Sequence, residues 1–104
     1  MDHPSGQLPT QQAFSEVLNS RFNVWEDGRK QVEFTLVECN DVLSTEWQQC
    51  YSLLFRGPTD QPPVQSIYLL ENEQLGRMEL FLVPVKRDDA GVYFEAVMNH
   101  LVKR

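Results

Sequence analysis

The chain has 104 residues, a hydrophobic content of 41% and a formal charge of -6 at pH 7. This length fits a single domain, and the hydrophobic content excludes a generally disordered chain. Fifteen acidic residues outnumber nine basic ones, and no basic stripe interrupts them, so nucleic acid is excluded as an expected partner.

The stretch MDHPSGQLPTQQ lacks the charged and apolar regions of a secretory signal, and no apolar run approaches the ~18 residues of a membrane span. We therefore expect a cytoplasmic protein without membrane contact. In that compartment Cys39 and Cys50 should stay reduced. Residues 1–8 are expected to be a flexible tail, and residues 9–104 to form the single domain.

One helix is predicted near the start of the domain. Thr10 is a residue type that caps helix N-termini well, and Phe14, Val17 and Leu18 recur at the spacing of one helical face. The pattern predicts a helix near residues 10–21 whose apolar stripe packs on a sheet.

After the helix the apolar residues recur with period 2, which is typical of β-strands. Asp27-Gly28 supplies the positive φ of a tight hairpin turn, and later Asp- and Gly-containing segments supply further turns. Because short turns join antiparallel neighbours, the strands should form a meander. Six segments match this pattern: FNVWE, KQVEFTLVE, CYSLLFR, QSIYLLE, RMELFLVPV and GVYFEAVM.

The third to fifth of these segments are apolar on both faces, so a flat sheet with one solvated face does not fit them. The sequence predicts a mainly β fold of about six antiparallel strands, curled into a small barrel or a strongly bent sheet. The N-terminal helix is the expected cover of the second face. Pro84 should lie at a bulge or an edge, because proline cannot donate to a ladder. The expected interior residues are Phe34, Leu36, Leu54, Leu69, Leu80, Leu82 and Phe94.

An immunoglobulin-like β-sandwich is the alternative fold. Asp89-Ala90-Gly91-Val92-Tyr93 matches the D-x-G-x-Y corner of that fold, and Trp47 could be its core tryptophan. The position two residues after the tyrosine is Glu95 where the sandwich has a cysteine. An Asp- and Gly-rich hairpin turn explains the same residues.

No catalytic, metal or cofactor site is predicted, and we expect a protein that is not an enzyme. Glu33, Glu79 and Glu95 could share one outward sheet face as an acid–base group, but their alternation with core residues is typical of solubilising side chains. His3 and His100 lie at opposite ends of the chain, and the two cysteines lack metal-ligand spacing.

Three residues are candidates for contact with a partner protein. Arg56 ends a strongly apolar strand, where its guanidinium could pair with a carboxylate or with loop carbonyls, or could contact a partner. Trp25 and Trp47 are aromatic residues of the kind that anchor protein interfaces.

The segments YSLLFRGP, LFLVPV and VYFEAVMN resemble a bacterial family of small domains of unknown function. Members of that family share an F-x-L-L-F-R-G-P core, followed by L-F-L-V-P-V and Y-E-A-V. The resemblance runs from about Phe14 to Asn99 and brings no catalytic residues with it. It implies an association with phage-tail-collar-like proteins, and hence a part in assembling a tail-like or secreted fibre structure.

Two functions are compatible with these observations. The first is a structural or adaptor module that acts through contacts with a protein partner, in an oligomeric state that the sequence leaves open. The second is a small β-barrel that binds an apolar small molecule in its lumen. A filled lumen would favour the first function and an empty one the second.

Overall fold

A computed structural model describes residues 8–101. Residues 1–7 of the predicted tail (residues 1–8) and the last three residues of the predicted domain lie outside the described residues. One helix and six strands are present: α1 (Gln11–Glu16), β1 (Arg21–Glu26), β2 (Arg29–Ser44), β3 (Gln48–Gly57), β4 (Ser66–Asn72), β5 (Gly76–Asp88) and β6 (Gly91–Leu101).

The six strands form one antiparallel sheet that closes on itself in the order β1-β2-β3-β6-β5-β4. Pairing of β4 with β1 completes the ring. The predicted fold of six antiparallel strands curled into a barrel is therefore confirmed. The predicted meander is wrong, because β3 pairs with β6 rather than with β4, and the loop at residues 58–65 carries the chain to the other side of the ring. The immunoglobulin-like sandwich is wrong, because that fold needs two separate sheets and this chain has a single closed one.

Helix α1 is shorter than predicted, although its predicted N-cap is confirmed. The Thr10 hydroxyl accepts a hydrogen bond from the Ala13 N–H at 3.1 Å. The helix ends at Glu16 because the backbone then turns toward β2, with Asn19 at φ 69° donating its N–H to the Leu36 carbonyl at 2.7 Å.

Contrary to expectation, α1 covers an end of the ring rather than its outer face. Phe14 is fully buried, and its ring lies 6.4 Å from that of Tyr51, whose side chain points inward. Val17 joins the same core, while Leu18, predicted to share the stripe, is 42% exposed. At the other end of β3, the loop at residues 58–65 is held by a hydrogen bond from the Tyr68 hydroxyl to the Val64 carbonyl.

Aromatic rings fill the interior of the ring. Phe22 and Phe55 meet edge to face at 5.1 Å between centroids, and Phe34 stacks on Phe94 at 5.2 Å. Such geometries add about 0.5–1.5 kcal/mol per pair beyond the burial of apolar area. The predicted burial of five residues is confirmed: Phe34, Leu36, Leu80, Leu82 and Phe94.

The predicted burial of Leu54 and Leu69 is wrong. Both lie half-buried on the outer side of the sheet, while Leu53, Phe55 and Leu70 have no exposed surface. A run such as Leu53-Leu54-Phe55 is apolar at odd and even positions alike, so periodicity alone leaves its phase open. Pairing of Phe55 with the inward Leu36 decides which set faces the interior.

The chain packs most tightly where the ends of β3 and β6 meet. A Cβ atom at Gly91 would lie 2.0 Å from the Gly57 carbonyl oxygen, and Gly91 has φ +156°. A Cβ atom at Gly57 would in turn lie 2.7 Å from the Phe34 ring. Both positions therefore require glycine.

Asn72, the buried polar residue of the described core, holds the closure between β1 and β4. Its amide nitrogen donates to the Ser20 hydroxyl at 3.0 Å and to the Arg21 carbonyl at 3.1 Å. Its carbonyl oxygen accepts from the N–H groups of Gln74 and Leu75 at 2.9 and 3.1 Å. The buried amide is thereby fully paired, and it links the start of β1 to the β4–β5 turn.

Adjacent leucines in β3 test the strand phase. We expect Leu53→Ala to lower the free energy of unfolding by about 2–5 kcal/mol, because it leaves a cavity in the interior. Leu54→Ala is the matched control and should cost about 1 kcal/mol, because that side chain is already partly solvated. Urea denaturation of both variants measures the difference. Equal losses would contradict the assigned phase.

Two glycines test the close approach of β3 and β6. Gly76 has φ +80° with open space at its Cβ position, so Gly76→Ala should cost only about 1–2 kcal/mol of backbone strain. Gly91→Ala adds a clash with backbone and should cost about 3–5 kcal/mol. Thermal and urea unfolding compare the two variants. A Gly91→Ala variant as stable as Gly76→Ala would show that the strands can separate freely.

Candidate interaction surface

Strands β5 and β6 separate part-way along their length, which opens a groove in the side of the ring. Their ladder covers only residues 83–88 of β5 and 91–95 of β6, with a register shift between Pro84 and Lys86. The prediction that Pro84 lies at a bulge is thus confirmed. Proline has no N–H to donate, and the extra residue Val85 bends the strand. Beyond the ladder, β5 follows β4 and β6 follows β3.

Exposed apolar side chains border this groove on the outer face. Ile67 on β4 lies directly opposite Phe81 on β5, and the two are 65% and 52% exposed. Val97 on β6, across the groove, is 64% exposed. We call Ile67, Phe81 and Val97 the outer apolar patch. Scattered exposed apolar residues are ordinary, but a group beside a groove is typical of an interaction site.

The groove has a volume of about 700 Å³ and reaches down to the core. Its floor consists of Tyr51, Leu80 and Met98, and residues 8–10 form part of its wall. The Tyr51 hydroxyl donates to the Pro9 carbonyl at 3.4 Å. Burial, with a smaller contribution from Cys39, raises the pKa of Tyr51 to about 12, so its phenol is neutral at physiological pH and serves only as a hydrogen-bonding group.

Of the three predicted carboxylates, two border the groove and the third lies elsewhere. Glu79 and Glu95 line its rim, and neither has an ion-pair partner within residues 8–101. Glu33 lies on β2, where the Lys30 ammonium at 2.8 Å holds its pKa below the ordinary value. Glu95 pairs with Val83, four residues beyond Glu79, which places the two carboxylate-bearing backbones about 13 Å apart along β5. No hydrogen bond joins the two carboxylates within residues 8–101.

Trp25 lies on the outer side of β1 and is already engaged within the chain. Its indole N–H donates to the Glu71 carboxylate at 2.9 Å, and the Arg77 guanidinium lies 4.7 Å from the ring centroid. Arg77 also approaches Glu71 at 3.6 Å. This cluster ties β1, β4 and β5 together on the surface, so Trp25 has a structural contact in addition to its predicted role.

Trp47 lies in the turn between β2 and β3 and is 61% exposed. The Thr45 hydroxyl accepts hydrogen bonds from the N–H groups of Trp47 and Gln48 at 3.2 and 3.0 Å, which shapes the turn. Val42 and Leu43, near the end of β2, are exposed as well. The structure does not bring Trp47 near Arg56, because Arg56 lies eight positions along β3 from Gln48, a distance of about 26 Å.

Arg56 is half-buried and lies opposite Tyr93 on the outer side of the sheet. Its Cγ would be 2.9 Å from a Cβ atom at Gly91, so the methylene stem covers that glycine. Packing of the stem agrees with the prediction. The predicted guanidinium pairing is not found, since no ion pair or side-chain hydrogen bond of Arg56 occurs within residues 8–101.

Asp89 and Ala90 form the predicted hairpin turn between β5 and β6, and Gly91, Val92 and Tyr93 begin β6. The Asp88 carboxylate accepts from the Ala90 N–H at 2.8 Å, and this hydrogen bond is the main cause of its lowered pKa. The Lys86 ammonium lies 4.5 Å from the centre of the Tyr93 ring, which is 8% exposed. These contacts explain the residues without a sandwich corner.

Cys39 and Cys50 are free, half-buried thiols. Cys39 lies opposite Leu53, which is three residues along β3 from Cys50, so the two cysteines are about 10 Å apart along the strand. A disulfide requires Cα atoms within about 7 Å, so this pairing would require strand movement. Within residues 8–101, no group of three or more His, Cys, Asp or Glu residues could hold a metal ion. His3 lies outside that range.

Sequence reasoning missed the outer apolar patch. The signal was present, because the strands carry apolar residues on both faces, but we assigned the outer set to contact with the N-terminal helix. Since α1 packs over an end of the ring, Ile67, Phe81 and Val97 remain uncovered within the described residues.

Comparison with known families accounts for most of the chain. A family model described as a domain of unknown function, DUF6916, matches residues 9–98. The chain belongs to this family. The DUF6916 match spans every strand of the ring and ends within β6. Searches of curated proteins and of solved structures gave no match. In the part of this DUF6916 chain that the structure describes, no helix is long and apolar enough to cross a bilayer.

Variants of Arg56 test whether its methylene stem or its guanidinium contributes to the stability of the fold. Because lysine keeps the methylene stem, Arg56→Lys should unfold within about 0.5 kcal/mol of the wild type. Arg56→Ala removes the packing on Gly91 and should cost about 1 kcal/mol. Urea denaturation at neutral pH compares them. If Arg56→Lys loses as much stability as Arg56→Ala, the guanidinium makes a stabilising contact after all.

Proposed function

We propose that this domain is a non-enzymatic structural or adaptor module that acts through contacts with a protein partner. The observation that carries the proposal is the outer apolar patch beside the groove, where Ile67, Phe81 and Val97 are each more than half exposed. Burial of such side chains against a partner gives about 25 cal/mol per Å² of apolar area. Exposed aromatic and branched aliphatic residues next to a concavity are suited to anchor an interface.

The filled interior supports this function over the small-molecule alternative. A barrel that binds a ligand in its lumen needs space there, typically several hundred Å³. Here Phe22, Phe34, Phe55 and Phe94 occupy the lumen with no exposed surface. An apolar ligand could enter the lumen only by displacing these rings, so the space that the ring leaves accessible is the groove in its side.

The arrangement of titratable groups supports a role without catalysis. Glu79 and Glu95 share no hydrogen bond within residues 8–101, their backbones lie about 13 Å apart along β5, and burial raises the pKa of Tyr51 to about 12, so its phenol is neutral near pH 7. The groove thus offers shape, apolar contact and negative charge, which are properties of a recognition surface.

The proposal includes a place for the module in a phage-tail-like assembly of a bacterial cytoplasm. This part rests on the sequence resemblance described above. A small rigid ring with an exposed outer face suits such an assembly, because each subunit must present a fixed surface to its neighbours.

Site-specific photo-crosslinking in the native host tests the interface. A crosslinking amino acid replaces Phe81 or Val97 in the patch, and Arg29, exposed at the start of β2, is the matched control position. We expect the same partner protein to be captured from both patch positions, identified by mass spectrometry, and not from Arg29. Ile67→Lys should reduce the capture at least tenfold while leaving the thermal midpoint unchanged. Equal capture from all three positions, or none from any, would contradict the proposed surface.

A further inference from the structure

Two strand edges face each other across the groove without pairing. Residues 76–82 of β5 pair with β4 on one side, and residues 96–101 of β6 pair with β3 on one side. The β5–β6 ladder stops at the pair Val83 and Glu95. On each segment, alternate backbone N–H and C=O groups therefore point into the groove, where no strand of the described residues 8–101 receives them.

Such edges are normally protected. Proteins cover them, shorten them or place lysine and proline on them, because an open edge is a template for another strand. The β5 edge runs for seven residues, about 23 Å, which is longer than a typical strand of ~17–20 Å. Residues 8–10 line one wall of the groove, but they make no backbone hydrogen bond to either edge within the described chain.

The side chains beside the β5 edge indicate what would pair with it. On the outer face, Glu79, Phe81 and Val83 follow one another at alternate positions. Directly opposite residues of antiparallel strands contact each other, so a strand added along residues 76–82 would place one residue against the Glu79 carboxylate and the next outward one against Phe81. Inward residues of that strand would meet the apolar floor at Tyr51 and Met98.

The charge at the rim restricts the sequence of the added strand. Glu79 and Glu95 stand on the two sides of the groove without ion-pair partners in residues 8–101, in a chain of net charge -6. A lysine or arginine on the added strand could cover Phe81 with its methylene stem and reach either carboxylate with its cation. An acidic strand would be repelled from both sides.

We propose that the β5 edge binds an extended segment of a partner protein by antiparallel strand addition, and that this segment alternates apolar with basic residues. The proposal rests on the function proposed above and specifies how the partner is held. Backbone hydrogen bonds to β5 supply affinity, and the contacts with Glu79, Phe81 and the groove floor supply specificity.

A designed peptide tests the proposal on the full chain. The probe is a capped, fluorescein-labelled heptapeptide of alternating valine and lysine, titrated by fluorescence anisotropy. One control peptide carries N-methyl groups on alternate amides, so that it cannot form a ladder, and another replaces lysine with glutamate. We expect saturable binding of the probe, at least tenfold weaker binding of the N-methylated peptide, and no binding of the glutamate peptide.

A charge-swapped variant tests the site of binding. Glu79→Lys combined with Glu95→Lys should weaken binding of the lysine peptide at least tenfold and should allow the glutamate peptide to bind. The matched control, Asp60→Lys with Glu73→Lys, makes the same change in net charge at exposed positions that do not line the groove, and should stay within twofold of the wild type. Circular dichroism and thermal unfolding verify that both variants fold.

Hydrogen exchange locates the added strand. Binding of the lysine peptide should slow amide exchange within residues 76–82, and much less at the Arg29 end of β2. Equal binding of the N-methylated peptide, without new protection in residues 76–82, would overturn strand addition and leave only charge attraction. Wild-type self-association that Phe81→Lys abolishes would instead identify a second copy of this chain as the occupant.

The two proposals can fail separately. If Phe81 and Val97 crosslink to one partner but residues 76–82 gain no protection in that complex, the module binds proteins through its outer face and strand addition is wrong. If residues 76–82 gain protection from the peptide but no partner is captured in the host, the β5 edge can bind an added strand but the proposed cellular role is wrong.

Discussion

Packing of four phenylalanine rings inside a ring of six strands is the constraint on which the rest of the structure depends. The sheet must curl to enclose these rings, and its ends must come close together to exclude water from them. The contact between Gly57 and Gly91 follows directly, because the Phe34 ring presses on one glycine while the other backbone approaches from outside. The same packing leaves no room for a ligand among those rings, so we expect a binding site on the outer surface.

The ring is closed by pairing of β1 with β4, but β5 and β6 pair over only part of their length. The groove of the candidate site lies where β5 and β6 are unpaired. On one side Asn72 uses its whole amide to connect the start of β1 with the β4–β5 turn. On the other side the missing N–H of Pro84 and the bulge after it end the β5–β6 ladder. A rigid frame thus holds two strand edges apart. A binding site on regular elements of this kind is held more accurately than one on loops.

Within the described residues, some carboxylates on the outer surface are paired with other side chains and some are not. Glu71 and Glu33 have partners within the chain, with Trp25 and Arg77 around the first and Lys30 beside the second. Such exposed pairs contribute only about 0–1 kcal/mol each, but they leave little charge available to a partner. Glu79 and Glu95 differ, because neither forms an ion pair within residues 8–101. Their availability, next to exposed Phe81, distinguishes the groove from the rest of the surface.

Local chemistry determined those parts of the fold that depend on neighbouring residues in the sequence. Thr10 caps the helix, Asp27-Gly28 makes a hairpin turn, Pro84 lies at a bulge, and period-2 alternation marks the strands, because each of these effects acts over a few residues. Strands that are apolar on both faces also indicated that the sheet closes on itself. Pairing of distant strands decided the remainder. Only the register of β3 with β2 shows that Leu53 rather than Leu54 faces inward, since both positions are equally apolar. The position of α1 and the separation of β5 from β6 likewise depend on the shape of the closed sheet. No single segment of the sequence contains that information.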